Sequence, residues 1–209
     1  MQERSQRRSN RERSEATRAA LMRAARTLFV EKGFADTGTP EIVAAAQVTR
    51  GALYHHFADK TDLFRAVVIE EARTVAREIE RETARPASAL DALLTGAQAY
   101  FTAMSFSGRT RLLLRDGPAV LGYGEMERID RETGGEELRQ GLAFALTGAI
   151  TSAGAATAEG AASGIPLEAL TGILSAAFDR AALAIAEGQP AEDYRAAITL
   201  ILKGLLEGR

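Results

Sequence analysis

Between positions 49 and 60 the chain carries Thr49, Arg50, Tyr54, His55 and Lys60, with the small residues Gly51 and Ala52 beside the arginine. These groups suit recognition of a polyanion. A guanidinium can lay two parallel hydrogen bonds on a guanine edge, whereas hydroxyls and an ammonium suit phosphate oxygens. Gly51 and Ala52 keep the segment thin where it would approach a groove. Other chemistries find little material. There is no cysteine, which excludes disulfides, thiolate nucleophiles and Cys-ligated metals, and the two histidines, His55 and His56, are neighbours. Adjacent side chains on a helix point about 100° apart and do not converge on one ion. His56 is therefore expected to pack or hydrogen-bond in the core, and His55 to lie on the surface near phosphate. No nucleophile, base and orienting group fall into a recognisable arrangement, so neither an enzyme nor a cofactor or metal is expected.

Positioning these groups takes two short helices. Ile42, Val43, Ala46, Val48, Leu53 and Phe57 can pack segments 39–46 and 49–56 together, leaving Arg50, Tyr54 and His55 to project elsewhere. Thr49 suits the N-cap of the second segment. This is the logic of a helix-turn-helix, in which one helix braces across the backbone and the next puts its N-terminal residues into the major groove. Upstream, Leu21, Ala24, Ala25, Leu28 and Phe29 form the apolar stripe of a helix from about Ser14 to Lys32. Gly33 is expected to stop it in the left-handed position, with Phe34 folding back over the core. Downstream, a helix from Asp59 to about Thr83 opens with Lys60, whose charge adds to the helix dipole in attracting phosphate.

Apolar spacing of i, i+3, i+4 recurs along the chain, alanine fills 41 positions and arginine outnumbers lysine 23 to 3, so an all-α fold without strands is predicted. Pro40, Pro86, Pro166 and Pro190 each precede an apolar-periodic segment as helix starts, while Pro118 is placed in a glycine-bounded loop. Further helices are expected near 87–106, 109–115, 123–132, 135–158, 166–187 and 191–207. The hydrophobic fraction of 46% and the charged fraction of 26% exclude a disordered chain. The net charge of -2 hides a split, +4 over residues 1–60 and -6 over the rest. Residues 1–13 hold five arginines, Arg4, Arg7, Arg8, Arg11 and Arg13, and read as a disordered basic arm; no apolar run follows as in a secretory leader. The uncharged stretch from Gly141 to Ala158 reaches 18 residues, but its Ala, Gly, Ser and Thr content indicates a buried helix, so no membrane partner is expected and the location is read as cytoplasmic and nucleoid-associated.

Read together, ALMRAARTLFVEKGFADTGTPEIVAAAQVTRGALYHHFADKTDLF resembles the DNA-binding domain of the tetracycline-repressor (TetR) family. The matching pieces are the ARTLF segment, Gly33-Phe34, Thr37, Ile42, Ala46, Val48-Thr49, Gly51, and Leu53 to Phe57 with Lys60 and Leu63. Thr37, Thr39, Thr49, Arg50, Gly51, Ala52, Tyr54, His55 and Lys60 make up the expected DNA-facing set. Two positions depart from the family pattern. Gln47 stands where the turn normally has glycine, requiring either a strained positive φ or a different turn. Gly38 stands where Ser or Thr usually caps the second helix, leaving either Thr39 as a shifted cap or Gly38 itself with Glu41 three residues on.

The resemblance implies a helical ligand-binding and dimerisation half. The expected division is an arm over 1–13, a helix-turn-helix domain over 14–60 and the second domain over 61–209. Leu112 to Gly122 is similar to a segment of one subgroup of such regulators. Tyr100, Phe101, Met104, Phe106, Tyr123 and Met126 are either plain core or, with Phe144, the walls of a pocket for a lipophilic guest, to which Gln98, Thr102 and Thr147 would offer sparse hydrogen bonds. The last two helices carry broad apolar stripes, and Leu170, Leu174, Phe178, Ile185, Tyr194, Ile198, Ile201 and Leu205 are expected at a four-helix homodimer interface. The function these features imply is a homodimeric transcriptional regulator, a repressor released from a palindromic double-stranded operator by a small effector. The alternative is a nucleoid-organising or protein-recruiting factor of the same fold without a ligand.

Overall fold

The computed structural model describes residues 2–84, 87–133, 135–152 and 166–207, with side chains described over 10–84, 87–133, 138–146 and 166–205. Among the described residues it is helical throughout, without strands. The order is α1 (Gln2–Lys32), α2 (Thr39–Ala45), α3 (Arg50–His56), α4 (Lys60–Thr83), α5 (Ala89–Met104), a π-helical turn (Arg111–Asp116) running into α6 (Gly117–Leu121), α7 (Tyr123–Thr133), α8 (Gly135–Ser152), α9 (Leu167–Ala186) and α10 (Ala191–Glu207).

Two expectations change. The helix α1 starts at Gln2 instead of near Ser14, so the segment read as a disordered arm is helical. Arginine, glutamate and glutamine are good helix formers, and an Arg11–Glu15 pair at 2.8 Å supports the turn that joins the arm to the packed part. Pro118 lies inside α6, not in a loop, at the first-turn position where its missing N–H costs nothing. The far end of the helix expected over 135–158 lies partly outside the described residues.

The chain resolves into two compact units. One comprises the residues up to Glu71 together with Arg111–Glu125; the other comprises Ala72–Thr110 and the residues from Met126 onward. The division thus departs from the boundary expected at residue 60, because the 111–125 segment returns to the first unit.

In the first unit Leu21, Ala25 and Phe29 of α1 are fully buried with Ile42, Leu53, Leu63 and Phe64. Phe29, Phe34 and Phe64 form a ring triad, with Phe64 edge-on to each of the others at 5.1 Å. Phe34 therefore does fold back over the core, and Gly33 stops α1 at φ 88°. Arg26 holds Glu71 through two hydrogen bonds of 2.7 and 3.4 Å, tying α1 to α4.

The second unit is built on Leu93, Ala97 and Phe101 of α5, Leu142 and Ala145 of α8, Leu174, Phe178 and Ala181 of α9, and Ile198 and Leu202 of α10. Arg109 is buried, donating to Glu78 at 3.0 Å and to the Ala103 carbonyl. A buried guanidinium is tolerable only with such partners.

Candidate nucleic-acid interface

The turn between α2 and α3 sets the exposed face of α3. Gln47 adopts φ 56°, the only positive φ outside glycine among the described residues. Its N–H reaches the Ala44 carbonyl at 3.1 Å, and the Val48 N–H reaches the Val43 carbonyl at 3.0 Å. These are the paired bonds of a Schellman ending, which satisfies the last carbonyls of α2 at the cost of left-handed backbone. The turn therefore keeps its geometry and strains the glutamine. At the other end of α2, Gly38 is the N-cap and its N–H donates to Glu41 Oε2 at 3.3 Å. Lys32 pairs with the same carboxylate at 2.6 Å, and this hydrogen bond, followed by that from Gly38, holds Glu41 below the usual carboxylate range.

Thr49 caps α3, its hydroxyl oxygen accepting the Ala52 N–H at 3.2 Å. Arg50, Gly51, Tyr54 and His55 are exposed and Ala52 half-exposed, while Leu53 on the same helix is fully buried. The Arg50 guanidinium lies 5.5 Å from the centre of the Tyr54 ring. Hydrogen bonds from Thr39 and then Arg50 to the phenol oxygen hold Tyr54 below its ordinary pKa. Thr39, Arg50 and Tyr54 thus form one polar group across the outer faces of α2 and α3. A Cβ on Gly51 would meet only Thr49 Oγ1 at 3.9 Å, so nothing among the described residues requires glycine there.

Two members of the expected DNA-facing set are turned inward. Thr37 is 1% exposed, and its hydroxyl donates to the Gly33 carbonyl at 2.7 Å, with the Leu28 carbonyl also within reach at 3.2 Å. It closes the end of α1 rather than offering a donor to phosphate. Lys60 donates to the Phe34 carbonyl at 2.8 Å and the Thr37 carbonyl at 3.0 Å, with its ammonium 4.2 Å from the centre of the Phe34 ring. Two of its three donors are spent on the α1–α2 turn. His56 is half-buried, its pKa lowered first by desolvation and then by His55 and Arg18, in keeping with the packed role expected of it.

The expected pocket residues do not converge. Phe101 and Met104 are buried in the second unit, Met126 is half-buried, and Gln98 and Thr102 are exposed, the Thr102 hydroxyl bonding back to the Gln98 carbonyl at 2.9 Å. Phe144 is 64% exposed and Tyr123, in the first unit, 82%. The Thr147 side chain lies outside the described residues. The cause is register: Gln98 and Thr102 lie on the opposite side of α5 from Leu93, Ala97 and Phe101.

The expected interface residues are displaced in the same way. Leu174, Phe178 and Ile198 are core, and Leu170, Ile185, Tyr194 and Leu205 pack against that core, leaving Ile201 as the exposed member. The apolar groups that α9 and α10 present to solvent are Ile173, Leu200 and Ile201. Ile173 belongs to the apolar stripe legible in the sequence, whereas Leu200 was missed because both helices are apolar on two sides. A stripe wider than one packing face was the available signal, since α9 is long and apolar enough to cross a bilayer by length and composition alone.

Comparison with known proteins supplies the context. The model for bacterial regulatory proteins of the tetR family matches residues 21–67, and the tetracyclin repressor-like C-terminal domain matches residues 90–209. The chain is 29% identical over 119 residues to the transposon Tn10 TetC protein of Escherichia coli, covering 56% of this chain and 59% of that one. It is 44% identical over 69 residues to the transcriptional repressor BepR of Brucella suis, covering 33% of this chain and 32% of BepR. These matches span between a third and three-fifths of the curated relatives. A crystal structure of a TetR-family transcriptional regulator from Pectobacterium atrosepticum is similar over nearly its whole length: 30% identity, TM-score 0.67, covering 95% of this chain and 96% of that one.

Proposed function

The chain belongs to the TetR family of bacterial regulatory proteins, and from that premise we propose that it is a homodimeric repressor whose two α3 helices read a palindromic operator. The observation that carries the reading is the outer face of α3, where an exposed Arg50 stands beside a glycine that the chain's own packing does not require. A side chain missing without internal reason is what close approach to a base edge demands. Thr39, Thr49 and Tyr54 surround that point with hydroxyls for phosphate, and His55 lies alongside.

Dimerisation is assigned to the outward side of α9 and α10, where Ile173, Leu200 and Ile201 are exposed. A Cβ on Gly172 or Gly204, on the same two helices, would meet nothing within 4 Å. Small residues between large apolar ones favour close helix approach, and two helices from each protomer make a four-helix interface.

Release by a small effector is the regulatory step. α4 runs unbroken from Lys60 to Thr83 and contributes residues to both units. An effector bound better by a state with the heads wrongly spaced shifts the population away from DNA, and by linkage the operator weakens effector binding by the same factor.

Selection of bound duplexes from a random-sequence library, followed by anisotropy titration of the enriched site, tests the proposal. Enrichment of inverted half-sites about one helical turn apart is expected. Failure to enrich any sequence over bulk DNA overturns it. Thermal-shift screening of a metabolite library, with hits retested for release of the selected duplex, tests the effector step.

A further inference from the structure

Tyr100 on α5 donates its phenolic hydrogen to Asp179 Oδ1 on α9 at 2.7 Å. The Tyr100 ring stands edge-on to Phe101 at 5.6 Å and to Phe178 at 5.5 Å, and those two rings are 5.8 Å apart. Phe101 and Phe178 are buried, whereas Tyr100 and Asp179 are half-buried at the margin of this aromatic cluster. Among the described residues the second carboxylate oxygen accepts no hydrogen bond and no Lys, Arg or His pairs with Asp179. Burial raises the Asp179 pKa above its ordinary value, with the Tyr100 hydrogen bond pulling the other way. Asp130 on α7 adds a further negative charge within electrostatic reach of the Tyr100 phenol, whose pKa is raised well above normal, first by burial and then by Asp179.

A carboxylate held against apolar rings without a cation costs stability, and a hydrophobic residue would serve the core better. Its retention makes sense where a positive ligand completes the pair. Aromatic faces attract the same kind of ligand through their quadrupoles, more strongly when water is excluded. We propose that Asp179, Tyr100, Phe101 and Phe178 form the recognition point for a lipophilic cation, an amine or onium centre with apolar substituents, as the effector of this regulator. The cation takes the open carboxylate oxygen and the rings take the substituents. This rests on the reading of the second unit as the effector-receiving half.

Isothermal titration of the full-length protein with tetraphenylphosphonium, and with tetraphenylborate as the same shape of opposite charge, tests the site. Saturable binding of the cation and none of the anion is expected. Asp179→Asn, which preserves size and the acceptor for Tyr100, should weaken the cation about tenfold or more. Its melting temperature should stay level or rise, because a desolvated charge has been removed; a purely structural pair would instead lose stability. If the Asn variant does not fold, Tyr100→Phe reports on the same site, with a smaller loss of cation affinity expected. No saturable cation binding by the wild-type protein, equal binding of the anion, or unchanged affinity in a folded variant overturns the proposal. Duplex selection is scored separately, so cation binding without operator binding would overturn the regulator reading and leave the site standing.

Discussion

Arg111 fills the space that a side chain on Gly33 would need: a Cβ at residue 33 would collide with the Arg111 guanidinium. That guanidinium donates to the Val30 carbonyl at 3.0 Å and to Asp116 Oδ2 at 3.1 Å, so an arginine far along the chain closes the end of α1. Gly33 is needed for its φ of 88°, and a side chain there would also push the Arg111 guanidinium aside.

Gly33→Ala should therefore cost about 2 kcal/mol or more, combining left-handed strain with a displaced cap. Arg111→Met should cost about 1–2 kcal/mol. In urea denaturation the double variant should lose less than the two singles together, by about 0.5–1 kcal/mol, because the steric conflict disappears with the arginine. Strict additivity would separate the two residues.

Gly51→Ala should leave the melting temperature level or raise it, since alanine is the better helix former by up to about 1 kcal/mol. Affinity for the selected duplex should nevertheless fall about tenfold or more. Arg50→Ala should cost about 1–3 kcal/mol of binding and relax preference at one base position per half-site. Equal loss on every sequence would reassign Arg50 to phosphate.

Gln47→Gly removes a left-handed side chain from the turn at φ 56°. Strain relief of about 1–2 kcal/mol outweighs the added freedom of the unfolded chain, so a gain of about 0.5–1 kcal/mol is expected by chemical denaturation. A loss of stability would show that the glutamine side chain makes a compensating contact.

Lys60→Met separates two roles. With its ammonium on the Phe34 and Thr37 carbonyls, the variant should lose about 1–2 kcal/mol of stability. The salt dependence of DNA binding should keep its slope; a slope reduced by about one unit would show that Lys60 also contacts phosphate.

Leu200→Glu places a charge on the outward face of α10, where Leu200 is 73% exposed, and should give a folded monomer by sedimentation velocity, against the dimer proposed for the wild type. A dimer that persists would move the interface elsewhere.

The head was legible in the sequence because its signals are local. Gly33, Thr49 and the stripe from Leu21 to Phe29 each encode a stop, a cap or a buried face within one turn of helix, and each lies where expected. The inward bonds of Thr37 and Lys60 were not legible, because their partners are backbone carbonyls of residues brought near only by the fold. The pocket and interface residues are less legible for a different reason. Helices rich in alanine and apolar on two sides do not reveal which side meets their neighbours, so Leu174 and Ile198 went inward while Ile173 and Leu200 stayed out. Asp179 gave no warning, since one aspartate in a helix reads as surface until Tyr100 is placed beside it.

The return of Arg111–Glu125 to the first unit has a consequence for synthesis of the chain. Leu112 is fully buried and Arg111 caps α1, so the head lacks part of its own wall until residue 125 has left the ribosome. An N-terminal fragment ending near residue 84 contains every residue of the proposed reading face yet leaves the Val30 carbonyl without its Arg111 partner. A nascent chain therefore holds both parts of the first unit only once synthesis has passed Glu125, well into the second half of the polypeptide.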